Sequence, residues 1–91
     1  MNNLILMTGS GSYLPGKKVS NNELSKFVDT SDEWIQQRSG IKFRHFVSEN
    51  QKTSDLATEA AKKALENSNL TPRDIDLIIV GTTTPDNTFP A

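Results

Sequence analysis

The chain contains no cysteine, and it has one histidine among its 91 residues. The missing cysteine excludes disulfides, thiolate metal sites and a cysteine nucleophile from these residues. No apolar run approaches the roughly 20 residues that a membrane-spanning helix needs. The first three residues lack the basic stretch of a signal peptide. We therefore expect a cytoplasmic protein that does not act at a membrane.

The chain also lacks an excess of either positive or negative charge. The chain has ten basic and eleven acidic residues, for a formal net charge of −1, and neither sign is gathered into a long block. A nucleic-acid or anionic-membrane surface would need such a block, so we expect small-molecule or protein partners instead. A chain of this length is enough for one small domain with a thin core.

Two apolar runs predict buried strands. Residues 4–7 are continuously apolar and lead into a loop with Gly9 and Gly11, and residues 75–80 form a second run without clear alternation. Strands of this kind are covered on both faces, which is typical of an α/β layered fold. The two glycines do not indicate a dinucleotide loop, because Leu14 stands where the third glycine of that fingerprint belongs.

Capping signals predict three helices. Ser20 and Glu23 have the spacing of a capping box, which predicts a short helix over residues 21–28. A similar signal at residues 30–33 and the stop at Gly40 predict a second helix over residues 31–39. Thr53 is the expected N-cap of the third and longest helix.

The third helix has a small-residue face and a charged face. Leu56-Ala60-Ala64 and Ala57-Ala61-Leu65 are the two adjacent rows of the first face, where alanine permits close packing. Glu59 and Lys63 on the other face have the spacing of a favourable i,i+4 pair.

Two shorter elements complete the prediction. Alternation over residues 41–47 predicts a half-buried strand with Lys42 and Arg44 on its wetter face. Thr71 and Pro72 predict a single helical turn before the last apolar run. One long helix and two short ones cannot cover two buried strands, so we expect part of their burial to come from chain outside these residues or from a partner.

Residues 29–41, with the sequence DTSDEWIQQRSGI, contain the only tryptophan. Trp34 lies one helical turn before Arg38, so a flat aromatic ring and a cation share one side of the predicted helix. Two interpretations are open for Trp34 at this point, a core or interface residue and a platform for a planar ligand. Two interpretations are also open for Arg38: a cation that stabilises the helix C-terminus, and a cation that binds an anionic group of a ligand.

In its motifs and their order, the chain resembles β-ketoacyl-acyl-carrier-protein synthase III, the initiating condensing enzyme of bacterial fatty-acid synthesis. The motifs are GSGSYLP at residues 9–15, the helix start at residues 21–24, DTSDEWIQQRSGI, the pair Arg44-His45, the run at residues 75–80, TTPD at residues 83–86 and Phe89-Pro90. Two positions depart from the family pattern: Phe43 stands where an acidic residue is common, and Ser39 where threonine is usual.

The resemblance implies a thiolase-like fold, an α-β-α-β-α layered arrangement that is usually dimeric. Residues 1–91 would be the N-terminal portion of such a condensing-enzyme domain, incomplete by themselves. In the family a cysteine takes the acyl group from acyl-coenzyme A, and a histidine and an asparagine assist condensation with malonyl-acyl-carrier protein. The resemblance implies that this cysteine follows the Phe-Pro segment, so none of the three catalytic residues is expected here. We expect the 91 residues alone to be inactive. Coenzyme A thioester would be a substrate, with no tightly bound cofactor.

The resemblance also implies which residues contact the ligand. Trp34 corresponds to a tryptophan that stacks on the adenine of coenzyme A, Arg38 could reach a phosphate of the cofactor, and Thr30 lies at a position near the adenine. Thr30 has a second interpretation as an N-cap. Phe89 corresponds to a phenylalanine that reaches across the dimer to the partner's acyl pocket, with local packing as its alternative.

Other polar residues have simpler interpretations. His45 is expected to be a structural strand residue, and no metal site is expected because a metal needs further ligands. Asp32 and Glu33 point in different directions from a helix, so we assign them to capping and to the helix dipole. The alternative function is a stand-alone coenzyme A or nucleotide-binding or interaction module without catalysis, and a third is an assembly piece that completes another chain's sheet.

Overall fold

The computed structural model describes residues 4–88. Its elements in chain order are β1 (Lys17–Ser20), α1 (Asn21–Leu24), α2 (Asp32–Ser39), β2 (Phe43–Phe46), α3 (Thr53–Ser68) and a 3₁₀ turn (Pro72–Asp74). They divide between two compact units, one of Leu14–Asn50 and one of Met1–Tyr13 with Gln51–Ala91. Phe89 lies outside the described residues.

The unit Leu14–Asn50 is built on a two-stranded antiparallel sheet. β1 pairs with β2 in a register that sets Val19 opposite Arg44 and Ser20 opposite Phe43. Val19 is 2% exposed and, with Pro15, is buried in this unit. The strand predicted over residues 41–47 is confirmed in its centre, whereas β1 was not predicted, since two of its four residues are lysines.

The placement of Arg44 on the wetter face of β2 is wrong. Arg44 is half-buried, and its guanidinium donates to the Val19 carbonyl at 3.3 Å and to Asn21 Oδ1 at 2.5 Å. Phe43 is instead exposed. The hydrogen-bond partners on the neighbouring strand and helix draw the guanidinium inward, which alternation of polarity alone does not reveal.

The capping box predicted at Ser20 is confirmed. Ser20 Oγ accepts from the Glu23 amide at 3.1 Å, and the Glu23 carboxylate accepts from the Ser20 amide at 3.4 Å. α1 ends at Leu24, earlier than the predicted residue 28, because residues 25–27 form a turn. α2 ends at Ser39 and is followed by the C-cap residue Gly40, whose φ of 72° is the left-handed conformation that favours glycine.

In the second unit, α3 is present as predicted but begins one residue earlier and is capped differently. Lys52, not Thr53, is the N-cap residue, and its amide donates to Asp55 Oδ2 at 2.8 Å. The Thr53 hydroxyl donates to the Thr84 carbonyl. The prediction of Thr53 as cap is therefore wrong, because a partner distant in sequence takes its hydroxyl.

The expected pairing of Glu59 with Lys63 is also wrong. Glu59 accepts from Lys62 at 3.3 Å. The Lys63 ammonium lies 5.3 Å from the centre of the Tyr13 ring, a cation–π distance, so the aromatic ring replaces the carboxylate as its neighbour. The turn predicted after Thr71 is confirmed by the 3₁₀ helix Pro72–Asp74, whose Asp74 carboxylate accepts from the Thr71 amide at 2.8 Å.

The glycine-rich loop packs directly on α3. A Cβ atom at Gly9 would lie 2.7 Å from the Ala64 carbonyl oxygen, and one at Gly11 would lie 2.5 Å from the Ala64 amide and 2.6 Å from the Ala60 oxygen. Of the two rows predicted on α3, Ala60 and Ala64 in the first are half-buried, while Ala57 and Ala61 in the second are exposed. The glycines thus serve close packing.

The prediction of buried strands at residues 4–7 and 75–80 is wrong for this chain. Neither segment joins a sheet within the part of the chain that the structure describes. Ile5 is 100% exposed and Ile79 is 84% exposed. A strand needs a neighbour for its amides and carbonyls, and these residues supply none. The architecture of helices with a small sheet is the partial α/β fold expected of an incomplete layered domain.

Candidate functional site

The candidate site is the outer face of α2. Trp34 is 54% exposed, and the Arg38 guanidinium carbon lies 5.2 Å from the centre of the indole ring. Such a distance is in the cation–π range. The sequence prediction that the ring and the cation come together is confirmed, and the core interpretation of Trp34 does not hold within the described residues. An exposed indole beside a guanidinium offers both a flat apolar surface and a cation that can bind an anion.

The sequence builds this helix with two well-made ends. Ser31 Oγ accepts from the Trp34 amide at 3.1 Å, and the Gly40 amide donates to the Gln36 carbonyl at 2.8 Å. Asp32 and Glu33 stand in the first turn and Arg38 in the last, so each charge lies where the helix dipole favours it. Arg38 therefore contributes to the helix end as well as facing the ring.

The inner face of α2 is half-buried and largely polar. Asp32, Ile35 and Gln36 are its half-buried members, and no residue of the helix is fully buried. Gln36 Nε2 donates to Asp32 Oδ1 at 2.8 Å and to Oδ2 at 2.9 Å. A helix with so little apolar burial depends on its polar contacts for its orientation.

Those contacts converge on Asn21, which is 1% exposed. Its Nδ2 donates to Asp32 Oδ1 and to the Ile41 carbonyl, both at 2.8 Å, and its Oδ1 accepts from Arg44 at 2.5 Å. Its backbone amide donates to the Lys42 carbonyl at 3.1 Å. One amide side chain thus joins the start of α1, the start of α2, the loop after α2 and β2.

The same contacts act on the Asp32 carboxyl. Hydrogen bonds from Gln36, and then from Asn21, hold its pKa below the usual 3.8, with the charge of Lys42 adding to the effect. Because these donors favour the charged form, the carboxylate is the state in which the network is complete.

Thr30 precedes the helix but does not cap it. Ser31 is the N-cap residue, so the interpretation of Thr30 as N-cap is wrong. The Thr30 Oγ1 atom is buried and has no hydrogen-bond partner among the described residues. Its suggested place near a ligand remains a prediction.

His45 lies in β2 and has a structural contact. Its Nδ1 is 2.5 Å from the Pro15 carbonyl oxygen, which can only accept, so this nitrogen carries the proton. Among residues 4–88, no group of three His, Cys, Asp or Glu side chains is arranged to hold a metal ion. No helix in that range is both long and apolar enough to cross a bilayer. Phe89, the remaining predicted site residue, lies outside the described residues.

Sequence reasoning missed Asn21 as a site-building residue. Its position next to the Ser20 capping box indicated only a helix start. The partners of its side chain lie 11, 20 and 23 residues away, so no local pattern could have revealed them.

Comparison with known proteins gives a consistent picture. The chain is 61% identical over 85 residues to the β-ketoacyl-[acyl-carrier-protein] synthase III of Neisseria gonorrhoeae and 58% identical over 86 residues to that of Ehrlichia canis. The match covers 93% of this chain and 27% of the gonococcal relative. The chain therefore spans about a quarter of the length of its curated relatives. No family model matches it.

Solved structures agree. The crystal structure of 3-oxoacyl-[acyl-carrier-protein] synthase III from Aquifex aeolicus superposes with a TM-score of 0.80 at 49% identity, over 91% of this chain and 27% of that one. The priming β-ketosynthase of the R1128 polyketide pathway gives 0.71 at 32% identity, over 87% of this chain and 25% of its own. The fold is accordingly part of a thiolase-like α/β fold.

Proposed function

The chain corresponds over nearly all of its length to part of a β-ketoacyl-[acyl-carrier-protein] synthase III, and on this premise we propose that it supplies part of the coenzyme A contact of such an enzyme. The complete protein would condense acyl-coenzyme A with malonyl-acyl-carrier protein at the start of fatty-acid synthesis, in the cytoplasm and as a homodimer. These residues hold ligand and contain none of the catalytic groups.

The observation that carries the proposal is the exposed pair Trp34 and Arg38. An indole face that is open to solvent can stack on a purine. The Arg38 guanidinium lies 5.2 Å from the ring centre, and we propose that it binds a phosphate of the same ligand by charge-assisted hydrogen bonds. Thr30, just before the helix cap, is proposed to border the adenine, and Phe89 to border the acyl pocket of a partner subunit.

The test is calorimetric titration of the 91-residue chain with coenzyme A. Alanine substitution of a stacking aromatic costs about 1–3 kcal/mol per base, so Trp34→Ala should weaken binding roughly tenfold. Phe27→Ala is the matched control, because Phe27 is an exposed aromatic of the same unit. Binding that survives Trp34→Ala unchanged would reject the stacking role.

The Arg38 role is tested separately. Arg38→Ala should weaken the binding of coenzyme A more than the binding of pantetheine, because coenzyme A carries phosphates and pantetheine carries none. Lys26→Ala removes an exposed cation of the same unit and should affect neither ligand. With acetyl-coenzyme A and malonyl-acyl-carrier protein, the chain alone should form no condensation product.

A further inference from the structure

The helix that carries the proposed contact has an unusual dependence on polar anchorage. No residue of α2 is fully buried, and most of its residues are polar or charged. Apolar packing therefore contributes little to fixing its rotation about its own axis. The contacts that remain are those of the half-buried side chains Asp32, Ile35 and Gln36.

Of those side chains, Asp32 and Gln36 lie on the face opposite Trp34 and Arg38. Successive residues of an α-helix are separated by about 100° around the axis. Asp32 and Gln36 then lie within about 40° of each other, whereas Trp34 and Arg38 lie about 200° and 240° from Asp32. A rotation of the helix that broke the Asp32 contacts would therefore carry Trp34 and Arg38 away from their present direction.

The fixed end of this arrangement is Asn21. It is 1% exposed, and both donors of its amide and its acceptor oxygen are used. Its Nδ2 reaches Asp32 Oδ1 at 2.8 Å, the same oxygen that accepts from Gln36. The link from the buried asparagine to the half-buried carboxylate thus ties the inner face of α2 to α1 and, through Arg44, to β2.

We propose that Asn21 is a positioning residue for coenzyme A binding, which fixes through Asp32 the orientation of the helix face that presents Trp34 and Arg38. The inference rests on the proposed function of that face. Asn21 itself touches no ligand in this proposal.

The chemistry of the position explains why an amide is required. The Asp32 carboxylate and the Ile41 carbonyl need donors, while the Arg44 guanidinium needs an acceptor. A carboxylate of the same size would serve Arg44 and oppose Asp32, and an apolar side chain would leave all three groups unpaired.

The experiment uses Asn21→Asp, which keeps the size of the side chain but replaces its donor group, the NH₂ that makes two hydrogen bonds, with an acceptor oxygen. We expect its affinity for coenzyme A to fall roughly five- to tenfold at a temperature where thermal melts show it folded. Asn22→Asp is the matched control, since it adds the same charge at the exposed neighbouring position, and it should bind like the unsubstituted chain.

An exchange variant provides the rescue. Asn21→Asp combined with Asp32→Asn restores an amide–carboxylate pair with the roles reversed, although Ile41 loses its donor. It should recover a substantial part of the lost affinity. Recovery of thermal stability without recovery of affinity would reduce Asn21 to a structural residue and overturn the proposal, as would unchanged affinity in folded Asn21→Asp.

A second variant and a second readout cover other outcomes. If Asn21→Asp does not fold, Asp32→Ala removes the same contact between Asn21 and Asp32 from its half-exposed side. This variant must then itself weaken the binding of coenzyme A. Trp34 is the only tryptophan, so quenching of its fluorescence by acrylamide reports the helix face directly, with no ligand present. Absence of binding by the unsubstituted chain would reject the proposed function, whereas quenching that is identical in all folded variants would reject the positioning role.

Discussion

Gly11 shows how one residue can determine a packing contact. A Cβ at this position would overlap the backbone of α3 at Ala60 and Ala64, where nothing can give way as a flexible side chain would. The helix residues that face Gly11, Ala60 and Ala64, are also small, so the two backbones can approach closely. The loop and the small-residue row are thus two halves of one contact.

We expect Gly11→Ala to lower the free energy of unfolding by about 1–3 kcal/mol, the usual cost of overpacking. The measurement is a denaturant melt followed by circular dichroism. Gly81→Ala is the control in the same unit, because a Cβ there meets nothing within 4 Å. Equal melts for the two variants would show that the loop does not pack on α3 in this way.

The first turn of α3, whose N-cap residue is Lys52, also has a hydrogen-bond acceptor from far along the chain. The Asp86 carboxylate accepts from the Ser54 amide at 3.0 Å and from the Ser54 hydroxyl. An amide in the first helical turn otherwise has no partner in its helix, and the negative charge suits the positive end of the helix dipole. A loop residue therefore completes the helix.

These contacts predict a dependence on pH. Hydrogen bonds from the Ser54 side chain and then its backbone hold the pKa of Asp86 below the usual 3.8. A carboxyl whose pKa is lower in the folded state stabilises the fold above its unfolded pKa, and that contribution is lost as the pH falls through the folded pKa. We expect Asp86→Asn to lower the melting temperature most above about pH 5 and progressively less below about pH 4.

The control for this dependence is Asp76→Asn, an exposed carboxylate of the same unit. A difference between Asp86→Asn and the unsubstituted chain that stays constant from neutral to acid pH would contradict the assignment of Asp86 as the acceptor for Ser54.

For the molecule as a whole, the salient property is uncovered apolar surface. The apolar side chains that are more than 70% exposed include Ile5, Leu6, Met7, Leu77, Ile78 and Ile79. Contiguous exposed apolar surface favours association. The chain spans about a quarter of the length of its relatives, and we expect that in a longer protein other residues cover these segments.

We expect the isolated chain to self-associate as its concentration rises, measured by sedimentation velocity. Ile5→Lys with Ile79→Lys should reduce this association. Thr58→Lys with Asn87→Lys adds the same charge at exposed polar positions and should reduce it less. A single sedimenting species at every concentration would contradict the expectation.

The sequence by itself determined the features that depend on near neighbours. The capping box at Ser20, the helix Asp32–Ser39 with its stop at Gly40, and the juxtaposition of Trp34 with Arg38 all follow from contacts within one or two helical turns. Its motif order also predicted the similarity to β-ketoacyl-[acyl-carrier-protein] synthase III that the curated relatives show.

Only the tertiary structure decided which distant groups meet. It turned Arg44 inward to Asn21, brought the Asp86 carboxylate to the Ser54 amide in the first turn of α3, and left residues 4–7 without a sheet. Hydrophobic runs report what a segment could bury, but burial and strand pairing require a second surface, and hydrogen bonds across 20 or more residues depend on the folded path of the chain.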